Sequence, residues 1–97
     1  MKIAYSPRAI SDLTGIADYL VERSPQGALA VERRIREAVA RLAEFPSIGR
    51  EVTQRPGVRV IPLGRYPYSI FYKVIADELV ILHVRHSSRR PVEADEL

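Results

Sequence analysis

The sequence contains no cysteine and no tryptophan, one methionine, and only two histidines, His83 and His86. The absence of cysteine excludes a disulfide scaffold, a thiolate metal site and a cysteine nucleophile. Apolar runs are only a few residues long, far below the ~20 residues that a membrane-crossing helix needs. The first residues, Met1 to Pro7, also lack an apolar run of signal-peptide length. We therefore expect a cytoplasmic protein without a membrane partner, and neither a membrane protein nor a secreted mini-protein.

The chain has 97 residues, of which 46% are hydrophobic and 28% charged, and this predicts one globular domain spanning residues 1–97. The formal net charge is +3, but residues 55–90 hold seven Lys and Arg against two Asp and Glu. Residues 91–97 hold three acidic residues and no basic ones. The basic second half favours an anionic partner, either nucleic acid or an acidic protein segment, although a solvated basic surface explains the same composition.

Two helix-start signals divide the first half of the chain. Ser6-Pro7 and Ser24-Pro25 each combine an N-cap serine with a proline at the first helical position. Apolar residues then recur at helical spacing, and Pro46 ends the second helix. The first apolar face comprises Ala9, Leu13, Ile16, Ala17 and Leu20; the second comprises Ala28, Val31, Ile35, Ala38, Val39 and Leu42. Two helices joined so closely are predicted to form an antiparallel hairpin.

The remaining segments have the composition of strands. Lys2 to Tyr5 predicts a short first strand, and 58–63, 68–75 and 79–86 predict three more, separated by short turns. Alternation predicts that Tyr68, Ile70, Tyr72 and Val74 share one face. The predicted fold is therefore α+β, with a helical hairpin packed on a small antiparallel sheet in the order β-α-α-β-β-β.

Arginines and one histidine on the predicted sheet are the best candidates for a functional site. His83 and His86 form H-x-x-H on a strand, where residues three apart point to opposite faces, so we expect no metal site and no cofactor. Short turns would bring Arg59, Arg65, Arg85 and His86 towards one end of the sheet, followed by Arg89 and Arg90. Such a cluster could clamp phosphates or assist metal-free phosphodiester cleavage, with His86 as acid or base. Alternatively, Arg59 and Arg65 pair with Glu51 or with the acidic tail.

Five segments together resemble the ParE/RelE toxin superfamily. The first is the run Pro7 to Leu13 together with Ile16 to Leu20, which resembles the family's first helix. The others are Pro46-Ser47-Ile48-Gly49-Arg50, Gly57-Val58-Arg59, and the last two strands with their ending, Tyr68 to Val74 and Ile81 to Pro91. This resemblance implies the toxin half of a type II toxin–antitoxin pair, neutralised by a cognate antitoxin protein.

Two activities compete within that superfamily. The RelE-like branch cleaves mRNA on the ribosome, but Ser69 stands where that branch usually has arginine, and Val92 to Leu97 contains no tyrosine or histidine. Arg59 and Arg89 do match the nuclease branch. The Pro46 to Arg50 and His86 to Arg89 segments look more like ParE, whose members inhibit DNA gyrase by binding.

The resemblance therefore favours a gyrase inhibitor without catalytic residues. Its predicted target-binding residues are Arg59, Arg65, His86, Arg89 and Arg90. The alternative is a metal-independent, ribosome-dependent mRNA endoribonuclease that uses Arg59, Arg65, His86 and Arg89. A third interpretation is an interaction module without toxic activity.

Overall fold

The computed structural model describes residues 1–87 and Leu97, and it contains two helices and five strands. The helices are α1 (Pro7–Arg23) and α2 (Pro25–Glu44). The strands are β1 (Lys2–Tyr5), β2 (Arg50–Glu51), β3 (Arg59–Pro62), β4 (Tyr68–Ile75) and β5 (Glu78–His86). No helix in this described part is both long and apolar enough to cross a membrane.

Serine caps define where both helices begin. The Ser6 hydroxyl accepts a hydrogen bond from the Ala9 N–H at 3.0 Å, and the Ser24 hydroxyl accepts one from the Gly27 N–H at 3.0 Å. Each cap satisfies a backbone donor that the first helical turn leaves without a partner. Both predicted helix starts are therefore confirmed.

The five strands form one sheet in the order β1-β5-β4-β3-β2. Strands β2 to β5 pair antiparallel, whereas β1 pairs parallel with β5, with Tyr5 opposite Ile81. The predicted α+β class with a helical hairpin on a sheet is confirmed. The structure adds β2 and a parallel edge to the predicted order. The sequence did not predict β2 because two residues are too few to show alternation. It did not predict the parallel pairing because β1 and β5 lie at opposite ends of the chain, where no turn length constrains their relative direction.

The core lies mainly between the helical hairpin and one face of the sheet. Its fully buried members include Leu42, Leu63, Ile70, Tyr72, Leu79 and Ile81. Val74 pairs with the core residue Leu79 and so lies on this face, as the alternation predicts, but it is 42% exposed next to the β4–β5 turn, outside the core cluster. A second buried cluster comprises Val52, Val58, Val60, Phe71 and Leu82, and the partly buried Leu97 packs against it.

The side chains of Ser6, which caps α1, and of Asp12 within α1 continue the sheet edge where β1 ends. Beyond Ile81, the Ser6 hydroxyl donates to the Leu82 carbonyl at 2.8 Å, and Asp12 Oδ2 accepts from the Val84 N–H at 3.0 Å. Asp12 Oδ2 also lies 2.5 Å from Nδ1 of His83, which is only 2% exposed and stacks on Phe71. His83 thus joins α1 to the sheet, and His86 pairs with Tyr68 instead.

Candidate functional site

The loop between α2 and β2, residues 45–49, is held in place by the hydroxyl of a buried tyrosine. The Tyr72 hydroxyl accepts a hydrogen bond from the Gly49 N–H at 2.9 Å and donates one to the Pro46 carbonyl at 2.7 Å. A Cβ atom at position 49 would overlap the Tyr72 hydroxyl, so this close approach requires glycine. Tyr72 thereby fixes the backbone of loop 45–49 against the sheet.

Arg59 binds the same loop from the neighbouring strand. It lies opposite Tyr72, and one guanidinium nitrogen donates to the Gly49 carbonyl at 2.7 Å and to the Ser47 carbonyl at 3.3 Å. The other terminal nitrogen lies 3.5 Å from a Glu51 carboxylate oxygen. The sequence suggested Arg59 as a residue that contacts the target, yet in the structure its guanidinium is occupied by this loop.

The protonation of Tyr72 suits this double role. Burial raises the pKa of the Tyr72 hydroxyl above its ordinary value of 10.0. The Gly49 hydrogen bond and the nearby Arg59 charge act in the opposite direction and offset part of the rise. The hydroxyl therefore remains protonated at neutral pH and can donate to Pro46 while it accepts from Gly49.

The other candidate side chains lie apart from Arg59. His86 packs edge-to-face on Tyr68 with a centroid distance of 5.5 Å, and Arg65 lies in the turn that precedes Tyr68, 5.4 Å from the Tyr66 ring. Arg59 pairs with Tyr72, four residues further along β4, which is about 13 Å along the strand. The structure thus brings the Arg65 turn and His86 to one end of the sheet, and the expected gathering is wrong for Arg59. Arg89 and Arg90 lie outside the described residues.

Burial also affects the aromatic partner of His86. The pKa of the Tyr68 hydroxyl is raised by desolvation and by the nearby Tyr19.

Ser69 lies on the opposite face of β4, and its hydroxyl is 3.4 Å from that of Ser87. Within residues 1–87, no group of three or more His, Asp or Glu side chains is arranged to hold a metal ion.

An apolar groove runs along the helical hairpin. It has a volume of about 330 Å³ and lies between α1 and α2, with Tyr5 of the edge strand at its side. Its main apolar walls are Leu13, Ile16, Leu20, Val31 and Ile35, and Glu32 and Arg36 form an ion pair on its rim. The groove is suited to the apolar side of an extended or helical polypeptide.

The fold is a small α+β domain with an apolar groove along its helical hairpin and a loop, residues 45–49, held by hydrogen bonds from the sheet. A family model described as the ParE toxin of the type II toxin–antitoxin system parDE matches residues 3–91. The chain belongs to this ParE toxin family. The predicted membership of the ParE/RelE superfamily is therefore confirmed, and the chain is a toxin of the type II toxin–antitoxin class.

Relatives and a solved structure agree with this assignment. A Caulobacter vibrioides protein named toxin RelE2 is 39% identical over 90 residues, which cover 91% of this chain and 97% of the relative. A Sinorhizobium fredii protein named putative toxin Y4kP is 34% identical over 93 residues, which cover 92% of this chain and 91% of the relative. A chain of the structure titled "Chromosomal ParDE TA system from P. aeruginosa" is similar with a TM-score of 0.73 and 33% identity, covering 89% and 95% of the two chains.

Sequence reasoning missed the roles of Tyr72 and Asp12, whose side chains join segments that are distant along the chain. The alternation of β4 indicated only that Tyr72 faces the core, and nothing local pairs it with a loop 23 residues away. A buried tyrosine usually finds a hydrogen-bond partner, and that general rule was the available signal. Asp12 had no such signal, because its partner His83 lies 71 residues further along the chain.

Proposed function

We propose that this toxin inhibits DNA gyrase by binding to it, and that a cognate antitoxin neutralises it by occupying the helical groove. The match to a ParE family model across nearly the whole chain supports this choice of target. The similar Pseudomonas aeruginosa chain, from a structure whose title names a ParDE system, supports an antitoxin partner.

The separation of the candidate side chains is the observation that carries the choice of binding over catalysis. A metal-free ribonuclease needs a proton donor, a proton acceptor and a cation around one phosphate. Of the described residues that the nuclease alternative needs, the Arg65 turn and His86 lie at one end of the sheet, but Arg59 binds loop carbonyls two strands from His86 and about 13 Å further along the sheet. This arrangement supports a protein that acts through surface contacts.

The groove along the hairpin is the surface that we assign to the antitoxin. Its apolar walls suit an amphipathic segment that is disordered alone and folds on binding. The basic second half of the chain would attract an acidic partner and speed its association, and added salt would slow that association.

The decisive experiment compares the two targets directly. Purified toxin is added to gyrase with relaxed plasmid and, separately, to translating ribosomes with a defined mRNA. We expect supercoiling to stop and cleaved DNA to accumulate while the mRNA stays intact. Site-specific mRNA cuts with unimpaired supercoiling would contradict the proposal, and the His86→Ala variant should then cut at least ~100-fold more slowly.

A matched pair of variants tests whether the basic turn contributes to target binding. Arg65 is exposed in the β3–β4 turn, and Arg33 is exposed on α2 away from the groove. Arg65→Ala should weaken gyrase inhibition severalfold, whereas Arg33→Ala removes the same charge and should change it less than twofold. Equal inhibition by both variants would exclude Arg65 from the target contact.

A further inference from the structure

Loop 45–49 combines a fixed backbone with two exposed apolar side chains. Tyr72 and Arg59 together bind the carbonyls of Pro46, Ser47 and Gly49 and the Gly49 N–H. The loop nevertheless exposes 50% of Phe45 and 44% of Ile48. Other large apolar side chains are exposed too, Leu29 at 66% among them, but Phe45 and Ile48 stand on a loop whose backbone is held by side-chain hydrogen bonds.

The two apolar side chains belong to one turn. The Ile48 N–H donates to the Phe45 carbonyl at 3.3 Å, so the two residues project from the same short segment. The Arg41 guanidinium lies 5.5 Å from the centre of the Phe45 ring. An aromatic and an aliphatic anchor on a rigid loop lose little conformational entropy on binding, which is how a few residues come to dominate an interface.

The charges around the loop indicate the kind of partner. Arg41 and Arg50 are exposed beside it, and so are Glu44 and Glu51. Together with Arg59, which binds the loop, these are three positive against two negative charges, a net +1, whereas binding to a nucleic-acid backbone depends on a larger excess of positive charge. An apolar pocket on a protein fits this surface better than a row of phosphates does.

The loop is also distinct from the groove that we assign to the antitoxin. The groove reaches Arg36 on α2, and Phe45 follows nine residues later, which is about 13 Å along a helix. A partner segment confined to the groove therefore leaves Phe45 and Ile48 uncovered.

We propose that Phe45 and Ile48 are the apolar anchors by which this toxin inserts into a pocket on its protein target. Arg59 and Tyr72 are then positioning residues, which act through the loop and do not touch the target themselves. This inference rests on the proposed function, because it requires that the toxin acts by binding a protein.

The test uses Ile48→Ser and a control, Ile75→Ser, which removes the same side chain at 49% exposure next to the β4–β5 turn. Gyrase inhibition, antitoxin affinity and melting temperature are measured for both variants. Ile48→Ser should raise the concentration needed for half-inhibition at least tenfold, without changing antitoxin affinity or melting temperature. Ile75→Ser should change gyrase inhibition and antitoxin affinity less than twofold, and the melting temperature by no more than a few degrees.

A positioning role for Arg59 predicts coupling between residues. Arg59→Lys keeps the charge but has one nitrogen in place of the two that contact the loop carbonyls and Glu51, so it should hold the loop less firmly and weaken inhibition partially. Adding Ile48→Ser to Arg59→Lys should then cost much less than tenfold, because the anchor is already displaced. Additive losses would contradict the positioning role and indicate separate contributions.

The outcomes distinguish this inference from the proposed function. Full inhibition of gyrase by Ile48→Ser overturns the inference and leaves the gyrase assignment in place. Loss of antitoxin affinity in Ile48→Ser overturns the assignment of the loop to the target. A wild-type toxin that spares gyrase and cuts mRNA overturns both.

Discussion

The helical groove and loop 45–49 are both exposed, partly apolar surfaces, but different interactions build them. The groove is made of side chains that recur at helical spacing on two long helices, and its floor is the apolar core. Loop 45–49 has no repeating pattern, and its backbone depends on two polar side chains from β3 and β4. The groove is therefore sensitive to apolar packing, whereas the loop is sensitive to individual hydrogen bonds.

This difference separates the two surfaces physically. Changes in apolar packing alter the stability of the whole domain, because the hairpin and sheet share one core. Changes in Tyr72 or Arg59, whose side chains bind loop 45–49, alter that loop first. If the groove binds the antitoxin and the loop binds the target, as we propose, each surface can be changed with little effect on the other.

The largest expected effect comes from the packing that supports the groove. Leu42 is fully buried between α2 and the sheet, so Leu42→Ala should lower the free energy of unfolding by about 2–5 kcal/mol. Urea denaturation followed by circular dichroism measures this change. An unchanged midpoint would show that the buried face of α2 is misassigned.

The contact between Gly49 and Tyr72 should show the next largest effect. Gly49→Ala places a methyl group on the buried Tyr72 hydroxyl and should destabilise the protein by about 1–3 kcal/mol. Gly15→Ala is the matched control, because it lies on α1 with open space around it and should stabilise by up to about 1 kcal/mol. The melting temperature should therefore fall in Gly49→Ala and rise in Gly15→Ala. A shift in the same direction in both variants would contradict the close approach of Gly49 to the Tyr72 hydroxyl.

The hydroxyl of Tyr72 can be removed with little change in shape. Tyr72→Phe leaves the Gly49 N–H and the Pro46 carbonyl without their buried partner, which should cost about 1–3 kcal/mol. Tyr66→Phe removes a half-buried hydroxyl with only a 3.5 Å contact to Arg65 and should stay within about 0.5 kcal/mol of wild type. Equal denaturation midpoints for these variants would mean that the hydroxyl does not hold the loop.

Alkaline pH gives a smaller effect of the same origin. Because burial raises the pKa of Tyr72 in the folded protein, the unfolded chain ionises first as pH rises above 10.0. Stability should therefore be fully present below that pH and decline above it. Tyr5 and Tyr68 also have raised pKa values, so Tyr72→Phe should reduce the decline of stability above pH 10.0 without abolishing it. An identical slope in both proteins would contradict the contribution of Tyr72.

The parts of the fold that follow from local rules could be predicted from the sequence. Ser6 and Ser24 predicted where both helices begin, and the β-branched and aromatic residues from 68 to 75 predicted β4 with its bounds. Local rules failed where long-range pairing decides. β2 is too short to show a period, and the parallel β1–β5 pair joins opposite ends of the chain.

The candidate site was less predictable for the same reason. The arginines of the second half were identified, but the partners of Arg59 lie in a loop that no pattern connects to its strand. The opposite faces of His83 and His86 could be derived from strand alternation, yet the Asp12 partner of His83 could not. The order of the strands along the chain predicted that Arg59 and His86 lie together, but the register of the sheet places them apart.

The most direct test of the two-surface account measures antitoxin affinity and gyrase inhibition for one variant of each surface. Ala17→Glu adds a charge to the apolar groove, with Ala40→Glu on the exposed side of α2 as its control, and Ile48→Ser alters the loop. We predict that Ala17→Glu weakens antitoxin binding at least tenfold and still inhibits gyrase, whereas Ile48→Ser shows the reverse. Parallel losses of both activities in both variants would contradict the account.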